Sequence, residues 1–364
     1  MNIAIITTVK HNVGDDFVRE GIKFLVKKAY GNDDLLFHHI HKHSPITVRK
    51  GYEDWRLGRP SVWLDKLIPK NTKNDYILQS DLVIQSGAPV YWCHSESHCY
   101  NNEWFQPLIR DRFKKNKSAR MFNLAAGSCQ KYHSDGSEFC AKCYKYINEF
   151  YGLCEATTVR DTLSKTVLSK VGINVPVIPC SSIFAVDEWR LKSEAEDFVV
   201  VNYMKGGSHY TFGQQIDFDK WHGEFKKFYF DMKKREKVIF SCHNDKEVKE
   251  ALELDPEAEI FHVKDDFLAY MKLYSRAKFG IMNRVHGAFM LASLGKPSII
   301  IGNDSRARMA EEIGLKSYFV NDVDLEILEN SYSFLNAGAD SFSDRFRLIK
   351  EKAFTDYQNA LSFG

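Results

Sequence analysis

Net charge is the first thing this sequence lacks. Its 50 Lys+Arg nearly cancel 48 Asp+Glu, leaving +2 over 364 residues. With no basic block, that balance excludes the electrostatic footprint of a nucleic-acid binder. The locally basic stretch 110–120 reads as a solvated connection. Long apolar runs are missing too, since none approaches the roughly 18 residues that a membrane span needs. The opening stretch from Met1 to Thr8 is too short for the apolar region of a signal peptide and has no cleavage site. It reads as a first β-strand, and the chain is expected to be cytoplasmic. Thiols stay reduced there, so the eight cysteines are expected to be buried thiols, reactive thiols or metal ligands, not disulfides. No internal repeat at solenoid periods is visible.

What is present is an ordinary globular composition, 44% hydrophobic and 27% charged, in a chain long enough for two domains. Short apolar runs alternate with helix-length amphipathic segments, the pattern of an α/β protein with parallel sheets. Strands are expected at 3–8, 35–40, 82–86, 121–126, 156–159 and 175–178, then at 198–203, 237–241, 259–263, 279–282 and 298–301. A first helix carries Phe17, Val18, Ile22, Leu25, Val26 and Ala29 close to a 3.6 period, with Asp15 and Asp16 at its start and Gly31 after its end. The expected organisation is a first domain over 1–187, a second over 188–340 and a C-terminal helix over 341–364. The two α/β halves face a cleft, and the helix packs back on the first domain.

Chemistry-bearing residues gather at strand ends. The run Asn283-Arg284-Val285-His286-Gly287 follows an apolar strand and opens a helix that stops at Gly295. Ligands of open α/β sheets bind at that edge, and a helix start suits an anion. Arg284 offers a fork for carboxylate or phosphate, and His286 can donate a proton near neutral pH. Local helix-start roles explain the same pair equally well. At the other end of the chain, Asn12, Gly14 and Asp15 follow the first strand. Gly14 lets a ligand come close, and Asp15 either accepts from a hydroxyl or simply caps the helix. Lys205, Gly206, Gly207 and Ser208 end the first strand of the second half and suit a phosphate, although a tight turn also explains the glycines. His243 and Asp245 end the next strand. Trp55, Trp63, Tyr91, Trp92, Tyr100 and Trp104 lie in a long loop-rich insertion, where aromatic faces suit a sugar ring or a satellite core.

Cys140-x-x-Cys143 has metal-ligand spacing. Cys154 is a poor companion, because a continuous helix would put it about 16 Å from Cys143 along the axis. Cys93 and Cys99 are better placed, since they emerge on the same sheet edge. The expected set is Cys93, Cys99, Cys140 and Cys143 around a structural zinc ion or iron–sulfur cluster that pins the aromatic loop, against scattered thiols as the plainer reading. His39, His41 and His43 share one face of the second strand, a weaker metal candidate than a plain edge strand.

Four segments now fall in order. They are Asn12-x-Gly14-Asp15, Asp81 to Gly87, the Arg160-Asp161 segment running from Thr158 to Gly172, and Arg284-x-His286-Gly287 with Gly295-Lys296-Pro297. Together they resemble the polysaccharide pyruvyl transferase family over most of the chain. The resemblance implies a GT-B-like pair of Rossmann-type domains. It also implies phosphoenolpyruvate as donor and a sugar diol, in an oligosaccharide or lipid-linked glycan, as acceptor. Membrane contact would come only through such an acceptor. His286 would be the general acid, Arg284 the anchor of the donor's carboxylate or phosphate, and Asp15 the group that activates an acceptor hydroxyl. Arg160, Asn283, Gly287, Lys205, Gly206, Gly207 and Ser208 would surround the donor. Asn12, Gly14, Gly87 and Trp92 would face the acceptor. The chemistry itself requires no nucleotide, metal or other cofactor. A GT-B glycosyltransferase using a nucleotide-sugar, or a metal-clipped glycan-binding module without catalysis, are the competing readings.

Overall fold

The computed structural model describes residues 1–9, 12–31, 34–42, 76–93, 104–194, 198–208, 210–337 and 339–362. The first sheet contains β1 (Asn2–Thr7), β2 (Leu36–His41), β3 (Leu82–Ser86), β4 (Pro89–Tyr91), β5 (Arg120–Ser128) and β6 (Ala156–Val159). Its order is β2-β1-β3-β5-β4, with β6 also paired to β5, and every pairing is parallel. Side chains alternate along β1. Ile3 and Ile5 enter the core under helix α1 (Val13–Tyr30), while Ala4 and Ile6 enter the core on the opposite face. Burial on both faces is why the strand reads as a continuous apolar run.

The second sheet contains β7 (Phe198–Asn202), β8 (Val238–Ser241), β9 (Glu259–Phe261), β10 (Ala277–Met282), β11 (Ser298–Gly302) and β12 (Lys316–Phe319), in the parallel order β12-β11-β10-β7-β8-β9. The order in which strands are added reverses between β7 and β10. In the first sheet the same reversal lies between β1 and β3. At such a switch point neighbouring connections leave in opposite directions and open a crevice at the carboxyl ends of the strands.

The short edge strands β4 and β12 escape the sequence pattern, one beginning at a proline and the other only half-buried. The strand expected over 175–178 shrinks to a single parallel bridge between Val159 and Val177. The remaining helices that matter are α2 (Ala141–Tyr151), α3 (Thr162–Ser169), α4 (Phe218–Lys233), α5 (Asp245–Leu254), α6 (Phe267–Arg276), α7 (Val285–Ser293), α8 (Leu325–Ala337) and α9 (Ala339–Ser362). No helix among the described residues is long and apolar enough to cross a membrane.

One apolar core runs through both halves. Phe17 of α1 meets Tyr274 of α6 edge-on at 6.4 Å between ring centres, and Met282, Val285 and Phe289 join the same cluster. The last helix ties the halves again. Near its start Ser343 presses on Gly295 of the second half, and its end lies along α1. There the Tyr357 hydroxyl donates to the Pro179 carbonyl at 2.9 Å, Gln358 Nε2 donates to the Leu25 carbonyl at 3.2 Å, and the Tyr30 hydroxyl donates to the Leu361 carbonyl at 3.0 Å. The expected return of this helix onto the first half is what the structure has. Tyr357→Phe should cost about 1 kcal/mol for the lost hydrogen bond. Tyr357→Ala, which empties a fully buried site, should cost about 3–5 kcal/mol in urea unfolding.

Candidate active site

The carboxyl ends of both sheets face a shared cavity of about 530 Å³. From the first half, β1 leads through Thr8 to Asn12, whose side chain caps α1 by accepting from the Gly14 N–H at 3.1 Å. The cap is therefore Asn12, which frees Asp15 for the Thr8 hydroxyl that donates to its carboxylate. Burial pushes the Asp15 carboxyl up. Lys42, the Thr8 hydroxyl, His286 and Arg160 pull it down further, and the net result lies below the ordinary value. Asp15 is thus an ionised carboxylate in a mostly cationic wall.

Gly14 meets the second half directly. A Cβ there would stand 2.5 Å from Nδ1 of His286 and 3.0 Å from its Cβ. The imidazole lies where any other residue's side chain would begin. His286 belongs to the first turn of α7, and its Nε2 is 3.8 Å from Cys180 Sγ. The residue is half-buried and lines the cavity. Burial, reinforced by Arg160 and Arg306 and opposed by Asp15, lowers its pKa to about 3. The expectation of a proton donor standing ready near neutral pH is corrected here: burial and the neighbouring guanidinium groups favour the neutral form of His286.

Arg160 ends β6 and is buried. Its Nη1 donates to the Gly87 carbonyl, its Nε has no partner among the described residues, and it presses on Gly127, where a Cβ would be 2.4 Å from Nε. Gly87 positions Arg160 and does not line the cavity, contrary to its expected acceptor role.

Arg284 is less available than expected. Its Nε donates to Glu247 Oε1 at 2.9 Å, and Nη2 donates to the same oxygen. Glu247 is buried near the start of α5. There Asn244 caps its N–H at 3.0 Å, and Glu247 in turn accepts from Asn244 Nδ2 at 2.8 Å, the His243 N–H at 2.9 Å and Asn202 Nδ2 at 2.9 Å. Burial raises the Glu247 carboxyl, but Arg284, His243 and these donors bring it to about 2. Glu247 escaped the sequence reading, although Asn244-x-x-Glu247 is a capping-box spacing that signals it. Asp245, the candidate preferred there, points outward and meets His262 Nε2 at 3.1 Å. His243 does line the cavity. Its Nε2 lies 3.0 Å from the Tyr274 hydroxyl, and burial lowers its pKa to about 4.

A third cation was also missed. After β11, Arg306 donates from Nη2 to Asp304 Oδ2 at 2.6 Å and from Nε to Oδ1 at 2.9 Å, and lies 5.5 Å from the Tyr210 ring centre. Ser208 donates to Asp304 and lines the cavity. The neighbouring Ser305 stitches the halves, exchanging two hydrogen bonds of 3.0 Å with the backbone of Gln130. Asn303 to Arg306 follows a strand just as Asn283 to His286 does, and that equivalence was the available signal.

Several expected ligand contacts prove to be framework. Asn283 lines the cavity but spends its side chain on the Met204 N–H at 2.7 Å and the Ile301 carbonyl at 2.6 Å, joining three strand ends. Gly287 donates its N–H to the Arg284 carbonyl at 3.0 Å inside the first turn, and a Cβ there would strike Met282. The turn reading wins for Lys205-Gly206-Gly207. Gly207 has φ +70° and donates to the Met204 carbonyl at 2.8 Å, Gly206 accepts from Asn303, and Lys205 is exposed. None of these three lines the cavity. Asn12, Gly14 and Trp92 do, and Trp92 stands edge-on to Tyr210 at 6.0 Å.

Outside the cavity, the sulfurs of Cys93, Cys140 and Cys143 lie within 4.8 Å of one another. Cys99 lies outside the described residues, as do His43, Trp55, Trp63 and Tyr100. His39 and His41 take part in no cluster of three ligand types among the described residues.

A family model described as polysaccharide pyruvyl transferase matches residues 12–305. No curated protein matches the sequence. Among solved structures, the chain is similar to UDP-GlcNAc 2-epimerase of Methanocaldococcus jannaschii in complex with UDP-GlcNAc and UDP, with TM-score 0.52 and 11% identity over 97% of this chain and 100% of that one. It is also similar to a co-structure of S. aureus MnaA with UDP, with TM-score 0.56 and 12% identity over 94% and 90%. At such identities the likeness is one of fold, a GT-B-like pair of parallel α/β units.

Two neutral buried imidazoles make stability pH-dependent. The unfolded chain takes up a proton at each near the ordinary pKa of 6.5, whereas folded His243 and His286 do so only near about 4 and about 3. Their contribution is therefore complete above 6.5 and is lost as pH falls toward 4, at up to about 1.4 kcal/mol per pH unit for each ring. The melting temperature should drop between pH 7 and pH 5, and His286→Gln should lessen the drop. Equal pH sensitivity in the variant and the parent would contradict a neutral His286.

Proposed function

We propose that this chain, which belongs to the polysaccharide pyruvyl transferase family, moves pyruvate from phosphoenolpyruvate onto two hydroxyls of a glycan sugar as a cyclic ketal. The observation that carries this reading is the charge of the cavity wall: Arg160, Arg284, Arg306 and Lys42 surround it, with Asp15 ionised among them. Phosphoenolpyruvate carries a phosphate and a carboxylate on one carbon, and guanidinium groups suit both.

The reaction needs a proton at the methylene carbon of the donor, which breaks the C=C bond and leaves an oxocarbenium-like centre. A sugar hydroxyl attacks that centre and loses its proton. The C–O bond to phosphate then breaks, and a second hydroxyl of the same sugar closes the ketal. The balance is donor plus diol giving ketal plus phosphate. Asp15 suits the proton of the incoming hydroxyl. Arg160, with an unsatisfied Nε, suits the donor's charged end, and Arg284 is presented rigidly by Glu247. His286 starts neutral because burial and guanidinium groups disfavour its proton. A bound anion of high charge offsets those guanidinium groups, so the ring gains a proton when the donor arrives and then holds it where the methylene carbon needs it. Trp92 and Tyr210 line the cavity, and aromatic rings suit the apolar side of a sugar.

Incubation with phosphoenolpyruvate and candidate glycans should release phosphate and add one pyruvate ketal to the acceptor. Arg160→Lys should raise the KM for phosphoenolpyruvate about tenfold, the loss of about 1.4 kcal/mol expected when one bidentate contact is removed. Gly14→Ala, which displaces the imidazole, should lower kcat about 100-fold. Thermal stabilisation by UDP or UDP-sugars, with none by phosphoenolpyruvate, would favour the nucleotide-sugar glycosyltransferase instead. Silence toward both donor classes would favour a binding module.

A further inference from the structure

Most cysteines among the described residues sit singly. Cys154, for instance, donates to the Phe150 carbonyl at 3.2 Å, and Cys242 is buried beside β8. Three behave differently. Cys93 follows β4 at the carboxyl edge of the first sheet, Cys140 precedes the first turn of α2, and Cys143 lies within that turn. Their sulfur atoms are mutually within 4.8 Å, although the chain separates Cys93 from the other two by more than forty residues. The Cys140 N–H points at Cys93 Sγ at 3.4 Å, the hydrogen bond that favours a thiolate sulfur, and Cys143 Sγ lies 3.8 Å from the Trp92 carbonyl.

We propose that Cys93, Cys140 and Cys143 bind one zinc ion as thiolates, forming a structural site apart from the cavity. A tetrahedral site with Zn–S bonds of about 2.3 Å puts its sulfurs about 3.8 Å apart, so the observed cluster closes onto one ion with a small adjustment. In an iron–sulfur cluster three thiolates are spread over at least two irons, which separates some of the sulfurs further, so three sulfurs mutually within 4.8 Å favour a single ion. Buried Cys93 and Cys143 also give the ion a dry setting on one side, with Cys140 at the surface as the way in. The ion would join the end of β4 to the start of α2. Trp92, the residue before Cys93, lines the cavity, so the clip would hold that wall in place without taking part in the chemistry.

The chain purified under reducing conditions without chelator should carry about one zinc per molecule by elemental analysis. Cys140→Ser and Cys143→Ser should each lose most of it, while Cys154→Ser should keep it. Chelator-treated protein should take up Co²⁺ with intense sulfur-to-metal absorption that Cys140→Ser abolishes. Should Cys143→Ser fail to fold, surface-placed Cys140→Ser still carries the test. The proposal is overturned by protein from zinc-supplemented growth that holds no zinc and binds no Co²⁺. Full zinc in Cys140→Ser, or iron and sulfide in matching amounts, would overturn it as well. Donor binding in the cavity is measured separately, so the two readings fail independently.

Discussion

The architecture turns on the placement of an imidazole where a β-carbon would otherwise be. His286 from the second half lies directly over Gly14 from the first. That contact fixes how closely the two sheet edges approach. It also brings the first turns of α1 and α7 to one cavity, because Gly14 and His286 each sit at the start of their helix. Both helices follow a strand at a switch point, so their positive ends converge on the same space. Around this point the packing is apolar and continuous, with Phe17, Tyr274 and Met282 in one cluster, and α9 crosses from Gly295 to α1 to fasten it. The cavity is thus built by the joint itself.

The guanidinium groups at that joint are held in two ways. Arg284 and Arg306 each face a buried carboxylate, Glu247 and Asp304. Such pairing fixes direction but spends much of the charge. Arg160 is held by a backbone carbonyl and by contact with Gly127, and one of its donors stays unsatisfied. A buried, unsatisfied donor on a full positive charge is costly unless something anionic completes it. The unbalanced charge of this wall therefore concentrates at Arg160, beside the imidazole that it deprives of a proton.

Much of this was legible in the sequence. Strand periodicity located the buried strands, and the rule that ligands gather at carboxyl edges located Asn12, Asp15, Arg284 and His286 together. Sulfur spacing located Cys140 and Cys143, and the shared sheet edge located Cys93. What the sequence could not convey was orientation inside a turn. In Asn244-Asp245-Lys246-Glu247 the more obvious carboxylate points to solvent, while the one a half-turn later folds back onto Arg284, because successive helix residues diverge by about 100°. Lys205-Gly206-Gly207 has the composition of a phosphate loop but the hydrogen bonds of a turn. Composition does not tell which way backbone N–H groups aim. Arg306 was passed over because Ser208, which meets both it and Asp304, follows β7, a strand far away in the chain from β11.

The protonation of His286 has a consequence for how such a site avoids waste. A histidine charged at rest would add a fifth positive group to a wall that already holds three guanidinium groups and the Lys42 ammonium. Burial and Arg160 disfavour that state, and under the proposed function the donor's anionic charge offsets them and lets the ring act as an acid. In the proposed reaction, acid strength is supplied by the donor that needs it and withdrawn when phosphate departs. Asp15 moves the opposite way. Burial works against its charge, yet Lys42 and the Thr8 hydroxyl keep it ionised throughout. A base that is always ready and an acid that waits for its partner are what a reaction needs when its first step is protonation of carbon and its second is deprotonation of a hydroxyl.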